Sequence, residues 1–334
     1  MPKQESKFNL SIHGLRGLAS FSVLLFHIHS MGAKNNLLWI FSDLVRPFGS
    51  FFVCIFFCIS GFLITQTLEK HKSLRVFAKN RILRIYPVFL PLHLLMFIFG
   101  PGRYDWMKYL KFGSTEYITT FFSNLLFLPG LFNIPIAQKN AWSLSYEALF
   151  YILAGIVWKT SMMSKGKAKN IYLLVELIII IAIAINWIEM SFFAIGISCY
   201  FAEKYYPKSL PSTHNLGILS LVIAAIAYSY YSLAAIPFLL IFFLEVVRED
   251  GFGSQILRLR VMRFLGTISY SLYLIHPFVL DPLRGIATKF VNAGYPFVGN
   301  LTLIVAAPFI SIVVAWIIYE LLERKLTRYI LAKV

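Results

Sequence analysis

Residues 11–30, SIHGLRGLASFSVLLFHIHS, form an apolar run long enough to cross a bilayer as one helix, yet the run contains Arg16, His27 and His29. An arginine placed near a membrane interior costs roughly 2.5–3.5 kcal/mol or more, so a chain that keeps one there uses it. Arg16 and His27 are 11 residues apart. At about 100° per residue this is three turns plus roughly 20°, which puts both on one helix face, about 16 Å apart along the axis. His13 and Ser20 fall near the same face, whereas His29 lies about 200° from His27. Such a stripe lines either a pathway or an active site.

Apolar runs of this length recur. At about 20 residues per span, the sequence predicts ten crossings, near 11–30, 44–66, 84–100, 141–158, 171–187, 190–202, 215–231, 233–247, 264–281 and 299–320. The chain of 334 residues is 58% hydrophobic and only 14% charged, against about 25% charged for a soluble domain. An all-α, polytopic membrane helix bundle is therefore expected, as a single domain over 1–334. An eleventh apolar stretch, 117–134, is broken by Ser123, Asn124, Pro129 and Gly130.

Loop charge decides how that stretch is placed. With a cytoplasmic N-terminus and 117–134 not crossing, the inside segments carry 22 Lys/Arg and the outside segments 8. A crossing at 117–134 would put the basic stretch 159–169 outside, together with Arg258, Arg260 and Arg263. The expectation is ten crossings, both termini cytoplasmic, and a re-entrant or surface-lying 117–134. Irregular backbone at membrane depth is tolerated where protein or a water cavity surrounds it. The net charge of +16 then reads as orientation and contact with anionic lipid, not as nucleic-acid binding. Cys54, Cys58 and Cys199 lie in apolar runs without disulfide or metal spacing, as small core residues do.

Several other residues could carry chemistry. Arg81 and Arg84, in FAKNRILRIYP, stand one turn apart at the expected cytoplasmic mouth of the third crossing. Two guanidinium forks suit phosphate oxygens, although a pair there can also be an ordinary interfacial anchor. In AWSLSYEALFY, Ser143, Glu147 and Tyr151 share a face at the outer end of the fourth crossing. Glu147 could orient a histidine, act as a base or pair with a buried arginine. Glu176 and Glu245, nearer helix ends, read as partners of interfacial Lys or Arg. His276 lies toward the outer end of the ninth crossing, where Ser269, Tyr270 and Tyr273 could line a cavity and Pro277 loosens the helix. His71 and His214 read as loop residues, and His93 has no evident partner. No metal-ligand spacing, P-loop or dinucleotide fingerprint is present.

Taken in order, GLRGLASFSVLLFH, FFCISGFLIT, NRILRIYP, WSLSYEALFY, LGTISYSLYLIHPF and IIYELLERKL resemble the acyltransferase-3 family of membrane acyltransferases, over about residues 12–326. Arg16 followed by His27, and Arg81/Arg84 before Ile85-Tyr86-Pro87, are the most specific parts. The chain departs from the family's usual pattern at His13, commonly Asp, and at Lys325, commonly Pro. Members often carry an extra esterase-like domain; the resemblance implies the stand-alone form here.

The resemblance implies O-acylation, usually acetylation, of a sugar or other hydroxyl acceptor, such as a surface or lipid-linked polysaccharide, from cytoplasmic acetyl-CoA or another acyl-CoA. No bound cofactor or metal is expected, and membrane lipid is the surrounding partner. Arg16, Arg81 and Arg84 would hold the donor's phosphates. His27 would take the acceptor's proton or become acylated, with Glu147 as the second catalytic group. Trp142, Ser143 and His276 would face the acceptor. The chain would reside in a plasma (bacterial inner) membrane. A proton-coupled transporter or flippase using the same Arg, His and Glu residues is the alternative.

Overall fold

The computed structural model describes residues 8–34, 48–71, 73–100, 110–163, 166–206 and 216–333. His214, residues 44–47 of the second expected crossing and 101–109 of the expected outer loop lie outside the described residues. Among the described residues the fold is all-helical, without strands. The helices are α1 (Leu10–Lys34), α2 (Phe48–His71), α3 (Leu74–Phe99), α4 (Thr115–Leu125), α5 (Trp142–Ser161) and α6 (Lys167–Asn186). There follow α7 (Phe193–Tyr205), α8 (Gly217–Tyr230), α9 (Ile236–Arg248), α10 (Gly251–Leu257), α11 (Arg260–Asn292) and α12 (Pro296–Lys333). Six of these, α1 to α3, α5, α6 and α12, are long and apolar enough to cross a membrane.

The remaining expected crossings are built differently. Helices α7, α8 and α9 have 13, 14 and 13 residues, about 20 Å each and short of a ~30 Å hydrocarbon core. Turns of 3₁₀ helix, Ile188–Phe192 and Ser232–Ala235, run directly into α7 and α9 and lengthen them. The ninth expected crossing lies inside α11, 33 residues with Pro277 and Pro282 in its interior. Helix α3 starts ten residues before the expected 84, capped by the Ser73 side chain on the Val76 N–H. Arg81 and Arg84 stand about 11 and 15 Å along α3 from its first residue.

The chain divides into two compact units, Met1–Gln66 with Leu177–Tyr270, and Thr67–Glu176 with Ser271–Val334. In the first, helices meet through glycines at distances that admit no side chain. A Cβ on Gly61 of α2 would strike the Phe193 carbonyl oxygen, and one on Gly196 of α7 the Cys58 carbonyl oxygen. Gly14 and Gly17 of α1 abut the Leu257 and Met262 carbonyls in the same way, and Gly266 of α11 abuts the His13 carbonyl. Cys54, Cys58 and Cys199 are free and buried in this packing.

Among the described residues Glu245 has no ion-pair partner, contrary to the expectation of an interfacial Lys or Arg. Its buried carboxylate accepts the Gly217 N–H at 2.8 Å, at the start of α8, and its main-chain carbonyl accepts the Ser254 hydroxyl at 3.0 Å. A negative group there answers a donor that the helix cannot satisfy itself. Glu245→Ala orphans that N–H and is expected to destabilise the protein by about 1–3 kcal/mol, read as a lower melting temperature in detergent. An unchanged melt would remove this role. Glu176, the other carboxylate read as a Lys/Arg partner, accepts the Thr160 hydroxyl.

In the second unit, 117–134 does not cross as a helix. Helix α4 has 11 residues, about 16 Å, and beyond it Phe127 takes φ 57° and Gly130 φ 94°. The segment is stitched in place by polar contacts. Tyr86 of α3 donates to the Leu125 carbonyl at 3.0 Å, Ser145 of α5 donates to the Pro129 carbonyl, and Asn124 bonds both the Pro135 carbonyl and the Ala137 N–H.

Candidate functional site

The predicted residues divide between the two units. Arg16 and His27 both lie on α1, which is a single uninterrupted helix; both are half-buried, and Ser20 is fully buried with its hydroxyl on the Gly17 carbonyl at 3.0 Å. The start of α1 is held firmly. Glu249 accepts the Leu10 N–H at 2.7 Å and the Ser11 N–H at 3.2 Å, while Asn9 accepts the Ile12 N–H and donates to the Val247 carbonyl. A carboxylate on the first free N–H groups suits the positive end of the helix. His13, the departure from the family pattern beside Arg16, has its own partner. Its Nε2 lies 3.1 Å from the Thr267 hydroxyl, which itself donates to the Arg263 carbonyl at 3.0 Å. That donation leaves the hydroxyl to accept, so the proton of His13 sits on Nε2.

In the second unit, Arg81 and Glu147 come together. The Arg81 guanidinium lies 5.7 Å from the Tyr151 ring centroid and 5.8 Å from that of Phe77, and the Tyr151 hydroxyl donates to Glu147 Oε1. The sequence places Ser143, Glu147 and Tyr151 on one face of α5, and Tyr151 then acts as a spacer between cation and carboxylate. Arg84, one turn on, departs from Arg81: it pairs with Glu323 at 2.9 Å, and the other oxygen of Glu323 accepts the Ser271 hydroxyl at 3.0 Å. Glu323 lies in Tyr319–Leu326, where α12 widens to π-helical turns, a local form that collects at functional positions.

A third cluster surrounds the entry to α5. The Ser143 hydroxyl meets the Tyr273 hydroxyl at 2.8 Å, and Tyr273 donates to the Asn140 carbonyl at 2.9 Å. The Asn140 amide donates to the Tyr273 carbonyl. His276, fully buried, lies 6.1 Å from the Tyr273 ring, with Nδ1 3.0 Å from the Leu272 carbonyl. Because a carbonyl only accepts, Nδ1 carries the proton and Nε2 is the basic nitrogen of the neutral ring. Trp142 opens α5 with its ring edge-on to Tyr146. His93 is fully buried and enclosed by the Phe89, Phe97 and Phe121 rings.

Sequence reasoning passed over Gln138, Asn140 and Glu323. The first two lie in a segment too irregular for periodicity to reach. Glu323 entered only within IIYELLERKL, one of the segments that carry the family resemblance. Both side-chain polar atoms of Gln138 and the Oδ1 of Asn140 are buried without a hydrogen-bond partner among the described residues, a state that costs about 1–3 kcal/mol per group unless something fills it.

Residues 9–320 match the family described as an acyltransferase domain, acyltransferase-3. The chain is 24% identical over 356 aligned residues to the peptidoglycan O-acetyltransferase OatA of Listeria monocytogenes, an alignment covering 91% of this chain and 54% of OatA. It is 23% identical over 190 residues to an uncharacterised protein of Haemophilus influenzae, covering 55% of this chain and 74% of that one. The chain thus spans about half the length of OatA. No solved structure matches it.

Proposed function

The chain belongs to the acyltransferase-3 family, and on that premise we propose that it is a membrane O-acetyltransferase moving an acetyl group from cytoplasmic acetyl-CoA to a hydroxyl of a cell-surface or lipid-linked glycan. The observation that carries this reading is the Arg16–His27 pair, eleven residues apart on one continuous helix within the matched region. The OatA likeness favours acetyl as the group and a glycan as the acceptor.

In the reaction the thioester C–S bond of the donor breaks and an ester C–O bond forms. The acceptor's proton passes to His27 and then to the departing CoA thiolate. In the second route His27 first becomes acylated and then gives the acyl group to the acceptor oxygen. Arg16, Arg81 and Arg84 bind donor phosphates. Glu147, held by the Tyr151 hydroxyl, is the second catalytic group, and Trp142, Ser143 and His276 line the acceptor's approach. The whole of 1–334 acts as one domain in a bacterial inner membrane, with ten crossings and both termini cytoplasmic. With their 3₁₀ turns, 188–205 and 232–248 reach about 30 and 28 Å, close to the ~30 Å hydrocarbon core.

Purified protein incubated with labelled acetyl-CoA and glycan tests this. Release of CoA with label on the glycan is expected, while movement of an unmodified substrate without CoA release would make the chain a transporter. Arg81→Ala with Arg84→Ala is expected to weaken acetyl-CoA binding tenfold or more, since each loses a charge-assisted contact worth about 1.5–3 kcal/mol. The readout is competition with labelled donor, and unchanged affinity would remove both from the donor site.

A further inference from the structure

We infer that Gln138 and Asn140 form a hydrogen-bonding subsite for a neutral, hydroxyl-rich acceptor. The inference rests on the acyl-transfer reading above and adds the acceptor's grip to it. Gln138 is 3% exposed and Asn140 4%, yet Gln138 Nε2, Gln138 Oε1 and Asn140 Oδ1 have no hydrogen-bond partner among the described residues. Native proteins leave few buried polar atoms unanswered, and each one calls for an explanation.

The orientation of Asn140 is fixed. Its amide nitrogen donates to the Tyr273 carbonyl, which can only accept, so the unanswered atom is the oxygen. Gln138 presents one oxygen and one NH₂ whichever way its amide is turned. The two side chains together offer two lone-pair oxygens and one donor group. Two lone-pair oxygens repel phosphate and carboxylate and welcome O–H and N–H, so the pair fits sugar hydroxyls or an N-acetyl group better than the phosphate end of the donor.

The placement agrees with this chemistry. Asn124 fixes the chain just before Gln138 through the Pro135 carbonyl and the Ala137 N–H. The Asn140 carbonyl holds Tyr273, which meets Ser143, one turn before Glu147 on α5. The subsite therefore adjoins the Ser143–Tyr273–His276 cluster within the same unit.

Gln138→Met keeps the side chain's length and removes both unanswered atoms. With the purified full chain, labelled acetyl-CoA and chitotetraose as acceptor, the KM for chitotetraose is expected to rise tenfold or more. The KM for acetyl-CoA should stay within twofold and the melting temperature should be equal or higher. An unchanged chitotetraose KM would overturn the subsite. So would a lowered melting temperature with both KM values rising together, since a buried structural water would then be what the amide holds. If the wild-type chain releases no CoA from acetyl-CoA, it is the acyl-transfer reading that fails. The subsite is then read by tryptophan-fluorescence titration with chitotetraose alone. Tenfold weaker binding by Gln138→Met supports it, and no binding by the wild-type chain overturns it.

Discussion

His27→Ala is expected to reduce acyl transfer by about 10²- to 10⁴-fold, the range a positioned acid–base group contributes, while the protein still inserts and melts near the wild-type temperature. The side chain is half-buried on α1, beside the Phe26 ring at 5.2 Å. Truncating a partly exposed side chain outside the packed core costs about 1 kcal/mol, too little to unfold a domain of ordinary stability. A large loss of turnover with intact folding therefore reports chemistry. Imidazole suits either role, because it titrates near neutrality and its neutral form has a nucleophilic nitrogen. Rapid quenching of the wild-type chain with labelled acetyl-CoA separates the two: label retained on the protein, and absent from His27→Ala, marks the acylated route. Normal turnover in His27→Ala, measured as CoA release, would sink the assignment.

What the sequence made legible followed from length and period. Helix α1 could be read because its apolar run is the length of a membrane span and its polar residues recur on one face. The start of α3 could not be read from hydropathy, which discards Arg75, Lys79, Arg81 and Arg84, although Lys and Arg are good helix formers. The irregular path of 117–134 was foreshadowed by Ser123, Asn124, Pro129 and Gly130, but not the contacts that hold it. Those come from Tyr86 and Ser145 on other helices. The Arg84–Glu323 pair joins residues 239 apart, a separation no local pattern reports. Glu245 was misread for a related reason: a carboxylate in an apolar run looks like half of an ion pair until the amide start of another helix is seen beside it. Arg81 and Glu147 looked like opposite ends of a path by helix position alone, and the Tyr151 side chain brings them to one place.

Gly17→Val is expected to cost about 3 kcal/mol or more and to strip most of the protein from the folded pool, because α1 and α11 cross where Gly17 stands. A Cβ there would meet the Met262 carbonyl oxygen and lie 2.5 Å from the Gly266 nitrogen and 2.9 Å from the Leu265 carbonyl carbon. All three are backbone atoms of one helix, so none can turn aside as a flexible side chain would. Gly266 faces the His13 carbonyl in return, and opening the crossing at one glycine therefore loosens it at both. Overpacking a close-packed interior costs about 1–3 kcal/mol when side chains can yield; here two helices must part. The consequence reaches the chemistry, because Gly17 is next to Arg16 and His27 rides on the same helix. Gly17→Ala should fall between wild type and valine in melting temperature. Gly285→Ala, on α11 with nothing within 4 Å of a new Cβ, should be neutral or stabilising by up to about 1 kcal/mol, since alanine favours a helix interior over glycine. A Gly17→Val protein that melts like Gly285→Ala would mean that α1 can move off α11 without loss, and that the crossing does not fix the helix bearing Arg16 and His27.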